Sequence, residues 1–184
     1  PATRRATHAT AGRVLLYQGR PAEVFYSASC GGRSERASEV WPAAVLPYLR
    51  TAEDDVHGDD PPWTVEFPLR DVQQALRRAG WTGELRTVEI DTRNISGRVT
   101  RLRLGGLRPD VITGTAFRAA LGAGTLRSTA FDLASRRGVL RFTGRGYGHG
   151  VGMCVVGAGR RAARGESLEA ILAQYFPGLD LTAT

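Results

Sequence analysis

The chain contains no lysine. Its 25 cationic side chains are all arginine, stand against 18 acidic ones and give a formal net charge of +7. Such a surface favours polyanions: nucleic acid, anionic lipid or an acidic cell-wall polymer. Long arginine blocks are missing too, as are helix-turn-helix, zinc-finger and RNP patterns. Nucleic acid is therefore not an expected partner, and solvated arginine in a protein from a GC-rich genome accounts for the charge. No run of 18 apolar residues exists, so no membrane-spanning segment is expected. Pro1 to Arg5 carry no apolar stretch, so no signal peptide is expected, and the first ten residues read as the approach to an element. Repeats, low-complexity tracts and clear linkers are also lacking. With 184 residues and 42% hydrophobic content, the expectation is one domain with its own core. Cysteine is scarce. Cys30 and Cys154 allow one disulfide, two buried thiols or part of a metal site.

What the chain does have is glycine in one place. Five glycines lie between Gly144 and Cys154, four of them at every second position from Gly146 to Gly152. Such a run makes a poor ordinary strand and suits close approach of another backbone or a ligand. Tyr147 and His149 alternate with the glycines, so both would project from one face if the stretch were extended.

The rest predicts a β-rich α+β fold with a few short helices, two of them at the C-terminus. A hairpin is expected over residues 12–29, with Arg13 to Tyr17 paired to Ala22 to Ser27. Residues 37–62 read as irregular and contain an acidic loop, Glu53 to Asp60, around His57. A strand at Trp63 to Phe67 precedes a helix from Leu69 to Ala79. Strands follow at Leu85 to Asp91 and Arg98 to Leu104, then a short helix from Ala116 to Leu121. Phe131 to Leu133 and Gly138 to Thr143 complete the strands. Helices are expected over Val155 to Arg164 and from the N-cap Ser167 to Tyr175, with Pro177 and Gly178 closing the second. Trp41, Trp63 and Trp81 are expected in the core.

Several stretches, taken in order, carry a family resemblance. They include Thr10 to Gly19, Tyr26 to Glu35, Val40-Trp41, Pro47 to Leu49, Ile112 to Gly114, Leu126 to Phe131, Gly144 to Met153 and Ile171 to Gly178. Together they resemble the SpoIID/LytB domain, the stage II sporulation protein D family. The resemblance covers nearly all of residues 1–184. It implies an extracytoplasmic protein of the bacterial cell envelope that acts on peptidoglycan. One branch consists of lytic transglycosylases cleaving denuded glycan strands, another of amidase enhancers. The alternative to catalysis is thus a glycan-binding module or a partner of a cell-wall amidase.

A lytic transglycosylase needs an acid that first protonates the glycosidic oxygen and then accepts a proton from the muramic 6-hydroxyl. The family's catalytic glutamate lies on a Glu-Ala-Leu-Lys-Ala-Gln-Ala-type helix ahead of the matched region, and residues 1–11 hold nothing like it. The chain then reads as the C-terminal part of the domain, or as a member without that acid. Glu35 is the best acid in the remaining motif turns, although an ion pair with Arg33 or Arg36 explains it as well. His149 is the second catalytic candidate. Arg33, Ser34, Tyr147, Gly148 and Gly150 are the expected substrate contacts. Val155 stands where relatives commonly carry glutamine, and Ser34 where threonine is usual.

The resemblance also brings Cys30 and Cys154 to one cleft. His57 stands where some relatives have a further cysteine, and some hold zinc nearby. Cys30, His57 and Cys154 are therefore candidate Zn²⁺ ligands, with His149 or water as the fourth. The competing expectation is a Cys30–Cys154 disulfide, natural in an oxidising envelope.

Overall fold

A computed structural model of the chain describes residues 2–58 and 60–183. These residues form one mixed α+β domain with six helices and eleven strands. Two apolar clusters organise it. The first is built by the middle of the chain. Strand β4 (Trp63–Pro68) leads into helix α3 (Leu69–Arg78), whose Val72, Ala75 and Leu76 are buried. Their helical spacing gives one apolar stripe that must be covered. Strands β5 (Thr82–Arg93), β6 (Val99–Arg108) and β7 (Val111–Thr113) form one antiparallel sheet, and helix α4 (Gly114–Leu121) follows them. Thr113 caps α4 by accepting the Ala116 N–H at 3.2 Å. Strands β8 (Phe131–Arg136) and β9 (Val139–Gly144) join β4 in a second antiparallel sheet, ordered β4-β9-β8. Phe142 lies at the centre of this cluster, with Phe67, Phe117 and Phe131 rings 5.2 to 5.9 Å away. Trp63 and Trp81 pack against it, half-buried.

The second cluster joins the two ends of the chain. Helix α1 (Ala2–Ala9) precedes strand β1 (Arg13–Tyr17), so the first ten residues hold an element of their own rather than an approach. The expected hairpin is cut short. Strand β2 (Arg20–Pro21) pairs with β1 for two residues, and the chain then leaves. Strand β3 (Tyr26–Ser27) instead runs parallel to β10 (Met153–Cys154), with Ser27 opposite Cys154. The other partner of β1 is β11 (Asp180–Ala183), a strand beyond Pro177 that periodicity did not signal. The described residues within 37–62 are irregular as expected, apart from helix α2 (Ala37–Val40) and a 3-10 turn at Asp55–His57. Helices α5 (Val155–Ala163) and α6 (Leu168–Tyr175) fall where the sequence put them. Cys30, Leu49, Val151, Cys154, Tyr175 and Phe176 are buried together here, and Trp41 packs against them. Among the described residues no helix is long and apolar enough to cross a membrane.

A candidate metal centre beside an arginine-lined groove

The parallel β3–β10 pair determines where the chemistry lies. Cys154 ends β10 and caps helix α5, its Sγ accepting the Gly157 N–H at 3.3 Å. The Cys30 N–H reaches the same sulfur at 3.2 Å from across the ladder. His57, on the 3-10 turn, brings Nε2 to 3.2 Å from it. Asp54 completes the group, with Oδ2 3.5 Å from Cys30 Sγ and 3.6 Å from His57 Nε2. The ligand atoms of Cys30, Asp54, His57 and Cys154 all lie within 4.8 Å of one another, and all four residues are buried.

The electrostatics divide the two cysteines. The Cys154 thiol is lowered to about 5, first by the hydrogen bond from Cys30, then by the backbone N–H groups of Cys30 and Gly157 and the charge of His57. The Gly157 part of this is the usual effect of a helix N-terminus on a thiol. Cys30 is pushed up, because Cys154 takes its hydrogen bond and burial disfavours a second negative sulfur. The two sulfurs are not bonded to each other in this structure, and these opposite directions favour charge on Cys154 over Cys30.

Outer contacts hold the other two donors in place. His57 Nδ1 lies 2.6 Å from Asp60 Oδ2, and Asp60 is itself paired to Arg160 at 2.6 Å. This fixes the ring so that Nε2 faces the cluster, the carboxylate–histidine arrangement common around metals. Asp54 accepts from Tyr175 Oη at 2.8 Å and from Arg161 at 3.0 Å. Gly157 makes room for this, since a Cβ there would meet Tyr175 Oη at 2.2 Å and Asp54 Oδ2 at 2.4 Å. Two sulfurs, an imidazole nitrogen and a carboxylate oxygen at this spacing could hold a metal ion, and the set suits Zn²⁺.

Cys30, His57 and Cys154 thus come together, but the fourth donor is Asp54 and not His149. Asp54 lies three residues before His57, between acidic neighbours from which the sequence does not set it apart. His149 lies elsewhere, its ring edge-on to Trp41 at 5.0 Å between centroids, with Trp41 in turn stacked on Phe25 at 4.6 Å. Its Nδ1 accepts the Val151 N–H at 3.0 Å. Burial, then the Arg98 and Arg118 charges, hold His149 below the usual histidine range.

Glu35 is 1% exposed. Its Oε2 accepts from Asn94 Nδ2 and Ser96 Oγ, both at 2.7 Å, and its Oε1 from the Arg36 N–H at 2.8 Å. Arg98 Nε lies 3.9 Å away. Glu35 thus ties its own loop to the β5–β6 turn. Neither Asn94 nor Arg98 had been singled out from sequence, although Asn94 is the chain's single asparagine. Ser34 is buried, its Oγ accepting the Ala52 N–H at 2.9 Å. Tyr147 is 45% exposed.

The glycine run is not extended. Gly148 and Gly150 have φ of +111° and +80°, and their bare faces are filled by the protein itself. A Cβ on Gly148 would meet Ser27 Oγ at 2.4 Å, and one on Gly150 would meet Arg98 Nη2 at 2.2 Å. Of the two approaches the sequence left open, another backbone or a ligand, these two glycines admit protein neighbours. On the far side of Cys30, an open groove of about 510 Å³ runs between the β5–β6 turn and the ends of β8 and β9, lined in part by Arg33, Arg93, Arg98 and Arg145.

A family model described as "Domain of unknown function (DUF8618)" matches residues 61–152, half of the 184-residue chain. The chain belongs to this family. The chain is 29% identical over 179 residues to stage II sporulation protein D of Bacillus amyloliquefaciens, covering 96% of this chain and 50% of that one. It is 26% identical over 183 residues to stage II sporulation protein D of Bacillus subtilis (strain 168), again covering 96% and 50%. It is also 26% identical over 231 residues to the amidase enhancer of that strain, covering 98% of this chain and 32% of that protein. The SpoIID/LytB resemblance is therefore borne out. The chain spans about half the length of the two sporulation proteins, and less of the amidase enhancer.

Proposed function

We propose that this DUF8618 chain is the glycan-binding part of an extracytoplasmic cell-wall protein, with its loops held in place by a buried Zn²⁺ site. The observation that carries this is the four-donor cluster beside the groove. Cys30, Asp54, His57 and Cys154 are all buried, which is the closed arrangement of a structural site rather than the open one of a catalytic site. A metal bound there supplies cross-links between the β3 exit, the acidic loop and the start of α5. Tyr147 offers an exposed ring for stacking on sugar, and His149 a hydrogen-bonding edge beside it.

Strand cleavage of the lytic transglycosylase type, which the family resemblance implies, is the second reading. It needs an acid with access to a glycosidic oxygen. Glu35, at 1% exposure and with both oxygens engaged, is better suited to holding the wall than to transferring a proton. Incubation with denuded glycan strands separates the readings: binding without anhydromuramic products is expected. Products lost in Glu35→Gln would make Glu35 the acid and replace the binding reading. Metal analysis should give one zinc per chain, with thiols that react only after chelation. A metal-free chain with unreactive sulfurs would remove the zinc site.

A further inference from the structure

We infer that Cys30 and Cys154 are a redox modification site: a peroxide joins them as a disulfide, and the joined pair no longer holds Zn²⁺. This is regulation of the zinc site proposed above, and so rests on that reading. Both cysteines are buried and unbonded, and their sulfurs lie within 4.8 Å of each other. A disulfide brings the sulfurs to about 2.0 Å. Side-chain rotation at Cys30 closes most of that gap, since its Sγ is held on the far side by a long contact, 3.5 Å to Asp54 Oδ2. The two sulfurs have different surroundings. Cys154 Sγ accepts the N–H groups of Cys30 at 3.2 Å and Gly157 at 3.3 Å, and His57 Nε2 lies 3.2 Å away. Donors converging on one sulfur favour the anion that attacks a peroxide. Cys30 Sγ faces a carboxylate instead, which suits the second, resolving sulfur.

A way in for a small oxidant is present. An open hollow of about 340 Å³ is lined by Gly31, Gly32 and Gly58 and by Asp54 and His57. The last two also belong to the cluster, so the hollow ends at the donors. The chemistry balances with hydrogen peroxide as the oxidant. The Cys154 thiolate attacks the O–O bond; one oxygen stays on sulfur as a sulfenic acid, and the other leaves as water. The Cys30 thiolate then attacks the Cys154 sulfur, the S–S bond forms, and the S–O bond breaks to release a second water. The sulfurs together give two electrons to the peroxide, and solvent supplies two protons. Of the four donors only Asp54 and His57 remain, too few for the four-coordinate site that Zn²⁺ prefers. Both lie on the acidic loop, so oxidation releases that loop. Its Glu53 pairs with Arg33, and its Asp60 carbonyl accepts from Arg145, two arginines of the groove wall. The oxidised cluster therefore loosens one side of the groove.

The test starts from reduced chain loaded with Zn²⁺ and treated with hydrogen peroxide, with and without a chelator. Released zinc, free thiols and intact mass are followed together. The expected result is loss of both thiols within one chain, a mass lower by two hydrogens, and zinc released in step with the disulfide. The chelated chain should oxidise faster, and reduction with a phosphine should restore zinc uptake. A sulfenic-acid trap should label Cys154 in Cys30→Ser and leave Cys154→Ser unlabelled. Trapping in the unaltered chain, followed by peptide mapping, reads the same assignment if a variant does not fold. Thiols that stay free in peroxide, or join only between chains, overturn the modification site and leave the zinc reading standing. So does a disulfide formed with zinc retained. Label on Cys30 overturns the assignment of Cys154 as the attacking sulfur. A reduced chain that takes up no zinc removes the zinc reading, and the proposed regulation with it.

Discussion

The middle of the chain and its two ends are held together by different physics. Between β4 and β9 the larger cluster is built of apolar side chains, and burial of Leu102, Leu104, Leu107 and Phe142 supplies most of its stability. That force is non-directional and grows with the area removed from water. Around Cys30 and Cys154 the core is smaller and carries two cysteine sulfurs, a carboxylate, an imidazole and a buried arginine. There stability depends on each polar group finding its partner, because an unpaired buried charge costs more than a pair contributes. The first region therefore tolerates change in proportion to volume. The second responds steeply to the loss of single atoms.

Asp54→Ala should break this contrast most visibly. It leaves Arg161, whose side chain is 9% exposed, with only the more exposed Asp55 and Glu166 as partners, and frees the Tyr175 hydroxyl. The expected loss is about 3–5 kcal/mol, the range for removing one partner of a buried pair. Urea unfolding measures it, and a loss under about 1 kcal/mol would put the cluster on the same footing as a surface network. Amide exchange should speed up first at β3, β10 and α5, with β5 and β6 still protected.

Leu102→Ala is the complementary change. Leu102 is fully buried in the central cluster, and the expected cost is about 2–4 kcal/mol from lost transfer energy plus the cavity left behind. Zinc content should be unchanged. A variant that also lost its metal would show that the two regions unfold as one unit without local opening.

Gly150→Ala tests the seam between the regions at smaller cost. It puts a methyl group against the Arg98 guanidinium, at a φ of +80° that alanine rarely adopts. About 1–3 kcal/mol is expected. Because Arg98 also holds the Cys30 carbonyl, the variant should loosen the Cys30 turn, readable as faster thiol modification after chelation. Unchanged thiol reactivity would mean that Arg98 does not couple the seam to the cluster.

The same contrast explains what could be read from sequence. The middle was legible because its elements are periodic. Val72, Leu76 and Ala79 mark α3, and Val99, Leu102 and Leu104 mark β6. The ends are made from contacts far apart in the chain. Val14 pairs with Thr182, and Tyr26 with Met153, across more than a hundred residues that no local pattern records. Cys30, His57 and Cys154 were found through family likeness, not spacing. Asp54 was missed because one more acidic residue in an acidic loop has no pattern of its own. The glycine run left two readings open, a close protein neighbour or a ligand. Alternate glycines resemble a strand open to a ligand, but positive φ at Gly148 and Gly150 turns them toward Ser27 and Arg98.

The smallest expected effect belongs to His149, which lies between the regions. Its folded-state value is held below the ordinary 6.5, first by burial and then by Arg98 and Arg118. The unfolded chain therefore takes up a proton at a pH where the folded chain does not. Stability is complete above the unfolded value and is lost as pH falls through the lower folded value, where the difference levels off. His149→Gln removes this term. The stability of the protein relative to the variant should decline as pH drops below about 6.5, with no change between pH 7 and 8. A difference that is flat from pH 7.5 to 5 would mean that His149 is as easily protonated in the fold as in water. Its place beside Trp41 would then be an open surface, and a wall that excludes solvent would have to be sought elsewhere.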